Sequence, residues 1–191
     1  MARTKEFDQD AVMDKAMRLF WERGYEKTSM KDLVTHMGIH KGSMYDTFGD
    51  KQSLYFKALD RYSDKAEQTL LSRIAETQTA KAAIRMLLEW TIQEGNPSPN
   101  GCFIVNTAVE LAKHDPEAKD RVLRNWDRTE QWFRELVARG QRSGEIGGAL
   151  SAEALASSLM NAYIGLTVMA KTVTDRAKLR TIIDTHMKLL D

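Results

Sequence analysis

The strongest constraint on the fold is the stretch from residue 28 to residue 51, in which two short helical patterns are joined at a glycine. It reads TSMKDLVTHMGIHKGSMYDTFGDK. Apolar residues recur from Met30 to Met37 at the spacing i, i+3, i+4 and i+7, which predicts one apolar face on a helix of about two turns. Ser29 and Asp32 form a capping-box pattern at its start, and Gly38 tolerates the positive φ of a tight turn.

A second short helix is predicted from about His40 to Thr47. Its candidates for packing are Met44, Tyr45 and Phe48, and its opposite face is mostly polar. Two helices joined in this way are typical of a helix-turn-helix, whose second helix lies in the major groove of DNA. The alternative is an ordinary helical hairpin in an α-helical core, and the apolar pattern alone fits both.

Gly42 favours the DNA-binding interpretation. A glycine inside a helix costs on the order of 1 kcal/mol relative to alanine, so we expect a compensating interaction. Close approach of the backbone to a phosphate would provide one. The face around Gly42 carries small polar and cationic groups, which suit phosphates and base edges.

A longer motif surrounds this stretch, from about Ala11 to Leu59. An amphipathic first helix ends in FWERGYEKTSM, and the chain continues as DLVTHMGIHKGSMYDTFGDKQSLY. The residues that match a known pattern in register are Phe20, Gly24, Tyr25, Thr28, Gly38, Gly42, Tyr45, Phe48 and Lys51. With these matches the segment resembles the TetR family of bacterial transcriptional repressors. His40 and Thr47 depart from the family's usual residues beside the DNA-facing surface, so the resemblance indicates the class of protein and not its operator sequence.

The resemblance implies which residues contact double-stranded operator DNA. They are Thr28, His40, Lys41, Gly42, Ser43, Tyr45, Thr47 and Lys51. Thr28, Tyr45 and Lys51 correspond to phosphate contacts, which fix the register of the protein on DNA. The expected base readers are His40, Lys41 and Ser43. Base contacts would determine the sequence preference.

Charge gives no independent support for DNA binding. The net charge is +1, and residues 1–51 contain nine Lys and Arg side chains against nine Asp and Glu. Because a basic footprint is the usual first sign of a nucleic-acid-binding protein, the prediction depends on a few placed cations such as Lys41 and Lys51. Arg3 and Lys5 form a basic N-terminal tail, which either reaches the DNA or is disordered.

Helical periodicity along nearly the whole chain predicts an all-α fold of about nine helices. An N-terminal three-helix helix-turn-helix domain, residues 1–50, would precede a C-terminal helical domain, residues 51–191, for which the resemblance implies effector binding and dimerisation. The predicted helices run from about Asp8 or Asp10 to Arg23, Met30 to Met37, His40 to Thr47, Asp50 to Ala75, Thr79 to Glu94, Cys102 to His114, Pro116 to Arg142, Ser151 to Val173 and Asp175 to Leu190, with loops at residues 95–101 and 143–148.

Several classes of protein are disfavoured. No apolar run approaches the roughly 18 residues of a membrane span, and the N-terminus carries no apolar segment typical of a secretory signal. Cys102 is the only cysteine, which excludes an internal disulfide framework and favours a cytoplasmic location. The four histidines are scattered and no Gly-rich phosphate loop follows a strand, so we predict no catalytic residues, no metal and no cofactor.

The resemblance also implies a cavity for a small-molecule effector inside the C-terminal helices. The residues available for it are Trp90, Cys102, Phe103, Asn106, Trp126, Tyr163 and Lys171. Alternatively, the apolar residues of this set belong to the ordinary hydrophobic core. The sixth helix is apolar on most sides, which predicts that it is buried.

A homodimer formed by the last two helices is likewise implied. The helices carry apolar stripes at Leu155, Leu159, Ala162, Tyr163, Leu166 and Met169, and at Leu179, Ile182, Ile183, His186, Met187 and Leu190. Small residues interleaved with the first stripe, Ser158 and Gly165, suit close helix–helix association. Burial of both stripes within one monomer is the alternative.

Cys102 starts the sixth helix, where free N–H groups and the helix dipole are expected to lower the pKa of the thiol. The segment NGCFIVNTAVELA resembles a subgroup of the family in which some members sense electrophiles or oxidants through cysteine. Lys171 is a candidate charge partner in the same pocket. The hypothesis is a thiol-based sensor, and a buried inert cysteine is the alternative.

Together these observations predict a ligand-responsive transcriptional regulator of the repressor type. It would bind palindromic operator DNA as a homodimer. A small molecule, or modification of the thiol of Cys102, would release it from DNA. Two DNA-binding domains about 34 Å apart would match one turn of the duplex. The competing interpretation is a cytosolic helical protein that binds a small molecule without touching DNA, and an enzyme ranks third.

Overall fold

The computed structural model describes residues 7–92 and 100–191, and within them it contains nine α-helices and no strand. The helices are α1 (Gln9–Arg23), α2 (Met30–Met37), α3 (Lys41–Phe48), α4 (Lys51–Ala75), α5 (Ala80–Trp90), α6 (Phe103–Glu110), α7 (Pro116–Ser143), α8 (Ala152–Met169) and α9 (Arg176–Lys188). The predicted all-α fold is confirmed.

Most helices begin at a side chain that accepts a hydrogen bond from the first turn, which satisfies N–H groups that otherwise lack a partner. The capping box predicted at Ser29 and Asp32 is present in full. Asp50 starts α4, and Asp115 starts α7 with Pro116 in its first turn. Only α3 and α6, of the helices in the described ranges, begin without a side-chain cap.

One hydrophobic cluster joins α1, α2 and α3 to the N-terminal half of α4 and to α6. Tyr55 of α4 lies at its centre and is fully buried. Its ring packs edge-on against Phe20 of α1 and Phe103 of α6, with ring centroids 5.0 and 5.2 Å apart, and its hydroxyl lies 2.8 Å from that of Thr107. The cluster therefore extends across residue 50, where the sequence placed the division between two domains.

A second cluster is formed by α5, α7, α8 and α9 with Leu70 near the end of α4. Both apolar stripes predicted for dimerisation contribute to it. Their buried members are Leu155, Leu159, Ala162, Leu166, Leu179, Ile183 and Leu190. Most of each stripe therefore packs within the chain, as in the monomer alternative, because α8 lies against α7 and α9 lies against α5 and α8.

Three predicted helices end four residues early in the structure, and the eighth helix ends at Met169 rather than Val173. The fifth ends at Trp90 rather than Glu94, with Thr91 and Ile92 in a turn, and residues 93–94 and most of the loop at residues 95–101 lie outside the described residues. The sixth runs only to Glu110. The prediction that it is buried is wrong at Val109, which is 81% exposed, because α6 is covered on the sides facing α4, α7 and α8 only.

Candidate nucleic-acid interface and effector cavity

The turn between α2 and α3 places one face of α3 on the surface. Gly38 ends α2 in the left-handed region, with φ 72° and ψ 32°. Met44 and Phe48 of α3 are buried against the first hydrophobic cluster. The opposite side of the helix, including Lys41 and Tyr45, is exposed. This is the orientation in which a second helix can enter a groove of DNA.

Among the predicted DNA-binding residues, seven lie on or beside this exposed face. His40, Lys41, Gly42 and Tyr45 are exposed, and Ser43, Thr47 and Lys51 are partly exposed. His40 precedes α3, and its side chain accepts no hydrogen bond from the N–H groups of the first turn. The N-terminal end of α3 is therefore open to a partner.

Gly42 has no packing reason to be glycine. A Cβ placed on it would meet no atom within 4 Å, and its φ is not positive. The intramolecular structure therefore does not explain the residue, and the close approach of the helix backbone to a phosphate stays a prediction.

Two cations of the interface are positioned by aromatic rings. The Lys51 Nζ lies 4.1 Å from the centroid of Tyr25, and the Lys41 Nζ lies 5.9 Å from that of Tyr45. Such contacts hold an ammonium group near one position while leaving its N–H groups free for an anion.

Thr28 does not lie on this surface. Its side chain is fully buried, and its hydroxyl donates a hydrogen bond to the Gly24 carbonyl at 2.6 Å. Its backbone N–H donates to the Tyr25 carbonyl at 3.2 Å. The expectation of a phosphate contact is therefore corrected, because Thr28 uses its polar groups to hold the turn between α1 and α2.

Carboxylates of the N-terminal region are held in structural roles. Three accept hydrogen bonds from backbone N–H groups at the starts of α1, α2 and α4, namely Asp8, Asp32 and Asp50. Asp14 is paired with Arg61 and Lys65, each at 2.6 Å, and the Arg61 hydrogen bond with the Lys65 charge lowers its pKa to about 2. These four carboxylates therefore have partners within the chain.

A cavity of about 530 Å³ lies between α4, α6, α7 and α8. Five of the seven residues predicted for the effector pocket line it: Trp90, Cys102, Trp126, Tyr163 and Lys171. Phe103 is instead buried in the first hydrophobic cluster. Asn106 lies just outside and accepts a hydrogen bond from the Lys171 Nζ at 2.8 Å.

Sequence reasoning missed most of the polar members of the cavity wall, among them Tyr62, Arg128 and Arg176. Tyr62 follows the buried Ala58 and Leu59 of α4 at the spacings i+4 and i+3, and this helical period was a usable signal. Arg176 follows the N-cap of α9, and nothing in the local sequence shows that this end of the helix reaches α7 and α8. Its position depends on the packing of distant segments.

The expected low pKa of Cys102 is wrong. Burial raises the pKa of the thiol above its ordinary value of 9.0 and outweighs the opposing effects of backbone N–H groups in α6, of Tyr62 and of Lys171. The helix N-terminus thus acts in the predicted direction, but desolvation of the thiolate is larger. Lys171 does lie close to Cys102, as predicted.

Helix α6 connects the cavity to the DNA-binding region at both of its ends. At the start, the Gly101 carbonyl, on the cavity wall, accepts a hydrogen bond from the Trp21 Nε1 of α1 at 2.8 Å. At the other end, the Glu110 carboxylate accepts from the N–H groups of Tyr25 and Glu26 at 3.0 and 2.9 Å. The two ends of α6 are therefore bonded to α1 and to the turn that follows it.

The described residues add two negative observations. None of the helices within residues 7–92 and 100–191 combines the length and hydropathy that a membrane crossing needs. In the same ranges, no group of three His, Cys, Asp or Glu side chains is placed to hold a metal ion.

Comparison with known proteins agrees with this architecture. A model of "Bacterial regulatory proteins, tetR family" matches residues 12–58, and a model of "Tetracyclin repressor-like, C-terminal domain" matches residues 71–186. The uncharacterized HTH-type transcriptional regulator YezE of Bacillus subtilis (strain 168) is 32% identical over 194 residues, covering 100% of both chains. The HTH-type transcriptional repressor ComR of Escherichia coli (strain K12) is 29% identical, covering 98% of this chain and 90% of ComR.

A solved structure shows the same fold on DNA. It is a cysteine mutant of the TetR family transcriptional regulator CifR in complex with 26-bp double-strand operator DNA. The two chains are 25% identical, superpose with a TM-score of 0.86 and cover each other completely. The chain described here belongs to the TetR family of bacterial transcriptional regulators. It is a DNA-binding regulator and not an enzyme.

Proposed function

We propose that the protein is a homodimeric repressor that binds a palindromic operator through α3 and releases it when a small molecule occupies the cavity. The observation that carries the proposal is the double role of Gly101, which forms part of the cavity wall and accepts the hydrogen bond of Trp21 in α1. A ligand that displaces this segment would change the position of the DNA-binding region. A coupling of about 1–3 kcal/mol would lower operator affinity roughly 5- to 150-fold.

The operator contacts are proposed at seven of the eight residues first considered, since Thr28 is buried. Tyr45 and Lys51 would contact phosphates, and Gly42 would allow the backbone of α3 to approach. The side chains proposed to face the bases are His40, Lys41 and Ser43, with Thr47 beside them. Operator binding implies that the protein acts in the cytoplasm.

The dimer is proposed to form through the outer faces of α8 and α9. Their inner faces are occupied within the chain, but Val168 and Leu189 are 47% and 51% exposed. Gly165 on α8 has no atom within 4 Å of the position of a Cβ, so that another helix can approach closely. A dimer also provides the two DNA-binding domains that a palindrome requires.

Selection of bound fragments from a pool of random duplex DNA tests the proposal. We expect a palindromic sequence whose half-sites lie about one helical turn apart, with affinity that falls steeply as salt rises. A protein that retains no fragment even at low salt would favour the alternative, a helical protein that binds a small molecule without DNA.

A second route of release is modification of Cys102. It is favoured by the position of the thiol on the cavity wall, next to Tyr62 and Lys171. Because burial raises the pKa of the thiol, we expect slow reaction at neutral pH and ligand binding as the main signal. The test compares operator release by a quinone or hypochlorite in the wild type and in Cys102→Ser. Equal release in both proteins would eliminate the thiol route.

A further inference from the structure

The cavity contains polar groups that the protein itself leaves unsatisfied. Three buried side-chain nitrogens in the described part of the chain lack a hydrogen-bond partner: the Arg121 Nε, the Trp126 Nε1 and the Arg176 Nη1. Arg121 is explained within the chain, because its Nε lies 3.2 Å from the Asp60 carboxylate. Among the described residues, neither the Trp126 Nε1 nor the Arg176 Nη1 has such a partner. Both residues line the cavity.

The charge of the wall is unbalanced. Its described residues include three cations, Arg128, Lys171 and Arg176, and one carboxylate, Glu67. Glu67 is paired with Arg128, which leaves two cations without a carboxylate in the described ranges. Lys171 is exposed and bonded to the neutral amide of Asn106, whereas the Arg176 Nη1 is buried.

The other titratable groups of the wall do not neutralise these cations. Burial raises the pKa of Tyr62, Cys102 and Tyr163, so that all three stay uncharged at pH 7. A buried guanidinium N–H without an acceptor loses its hydration and is not compensated, and buried indole N–H groups ordinarily have an acceptor. An anion with acceptor atoms in the cavity would supply the kind of partner that each group lacks.

The rest of the wall is apolar and aromatic. It includes Leu70, Val105, Trp132, Met160 and Ile164. A volume of about 530 Å³ is in the range of sites for drug-sized molecules. An apolar body of that size would replace water against these side chains and leave one end at the cationic part of the wall.

We infer that the cavity binds an amphipathic organic monoanion, an aromatic or branched apolar body with one carboxylate or sulfonate, and that Arg176 and the indole N–H of Trp126 hold the charged end. Lys171 at the exposed side adds a second positive charge. The inference rests on the proposed function only in that the same cavity would be the effector site. It assigns the chemical class of the ligand, which neither the fold nor the relatives specify.

Two fluorescent probes with the same aromatic skeleton test this assignment. 1-Anilinonaphthalene-8-sulfonate carries a sulfonate, and N-phenyl-1-naphthylamine is its neutral counterpart. We expect the wild-type protein to bind the sulfonate at least about tenfold more tightly, because one charge-assisted hydrogen bond in a desolvated site is worth a factor of this size. Equal binding of the two probes, or binding of neither, would overturn the inference.

Variants of the wall locate the charged end. Arg176→Gln should weaken sulfonate binding about tenfold and change binding of the neutral probe less than twofold, while Arg176→Lys should retain most of the preference. Arg124→Gln, an exposed arginine of α7, is the matched control and should change neither. A preference that persists in Arg176→Gln would show that the anion is held elsewhere. If that variant does not fold, Trp126→Phe serves instead, and a sulfonate preference unchanged in it contradicts the proposed site.

Operator binding is measured on the same preparations. A wild-type protein that prefers the sulfonate but binds no operator would contradict the proposed function and leave the ligand class standing. A protein that binds operator and shows no preference for the anion would contradict the ligand class and leave the proposed function standing.

Discussion

Gly42 is a residue at which stability and DNA binding make opposite demands. Its Cβ position is open, so Gly42→Ala should raise the free energy of unfolding by up to about 1 kcal/mol through helix propensity. The same methyl group would stand between α3 and the DNA, so operator affinity should fall about tenfold or more. Thermal unfolding and operator titration of one preparation measure both effects. A more stable variant with unchanged affinity would remove Gly42 from the interface.

Tyr45 and Lys41 should differ in the kind of contact they make. Tyr45→Ala should weaken binding to operator and to random DNA alike, because a phosphate contact carries no sequence information. Lys41→Ala should also reduce the discrimination between operator and random DNA, by about 1–3 kcal/mol if it reads a base. Competition titrations with the two DNAs measure the ratio. If neither substitution changes any affinity, α3 is not the recognition helix.

Asp14 should make stability depend on acid pH. Its folded-state pKa of about 2 lies below the ordinary 3.8, so its contribution is fully present above pH 4 and is lost as pH falls from about 4 to about 2. The shift corresponds to roughly 2.4 kcal/mol, which solvent screening reduces to about 1 kcal/mol because the group is partly exposed. Urea denaturation should therefore show Asp14→Asn less stable than wild type at pH 7.

The difference between Asp14→Asn and wild type should shrink below pH 4. Asp64→Asn on the exposed side of α4 is the control and should differ little from wild type at any pH. A constant difference between pH 7 and pH 2.5 would mean that Asp14 stabilises the fold by packing and not by charge.

At the scale of the element, α6 is the helix whose two ends are bonded to the DNA-binding region. The carboxylate of Glu110 at its C-terminal end satisfies two backbone N–H groups, those of Tyr25 and Glu26, which lie 85 and 84 residues away in the chain. The Glu110 carboxylate lies close to Gly24, since a Cβ built on Gly24 would be 2.8 Å from a carboxylate oxygen. The turn after α1 is therefore built around a side chain from another part of the sequence.

Glu110→Ala should leave both N–H groups without their partner. We expect a loss of about 1–3 kcal/mol in the free energy of unfolding and faster hydrogen exchange at residues 25 and 26. Glu89→Ala removes only an exposed pair with Arg85 at 3.5 Å and should cost a few tenths of a kcal/mol. Unchanged exchange at both amides would contradict a direct connection between α6 and the DNA-binding region.

At the scale of the molecule, the proposed dimer makes a prediction about mass. Val168→Glu places a charge on the outer face of α8, where burial in a partner would desolvate it, so the variant should be monomeric at the chain mass of 21.7 kDa. The wild type should have twice that mass. Leu71→Glu on α4 is the control, since Leu71 is similarly exposed, at 43%, and is not part of the proposed interface. Light scattering coupled to gel filtration distinguishes the outcomes, and a dimeric Val168→Glu would place the interface elsewhere.

Local chemistry explains which features could be predicted. The capping box at Ser29 and Asp32, the turn at Gly38 and the start of α7 at Asp115 all involve residues within four positions of one another. Their geometry follows from backbone hydrogen bonding and the period of the helix, which a short sequence specifies. The same holds for the exposed polar face of α3.

Features that depend on distant contacts could not be predicted in this way. Thr28 matches a DNA-contact position in the motif, yet the packing of α1 against α2 buries its hydroxyl. Cys102 lies at the start of a helix as predicted, but the pKa of its thiol is raised because burial desolvates the thiolate. The apolar stripes of α8 and α9 were equally suitable for a monomer core and for a dimer.

The sequence by itself determined the helix-turn-helix pattern of residues 28–51 and, through the motif from Ala11 to Leu59, the class of the protein, because caps, glycines and apolar spacing are short-range features. Only the tertiary structure decided which groups are available for function. It buried Thr28, opened α3 to solvent around Gly42, and brought Arg176 and Trp126, 50 residues apart, to the wall of one cavity. The physical reason is that burial and charge balance are properties of the packed molecule, and they are set by segments that the sequence keeps far apart.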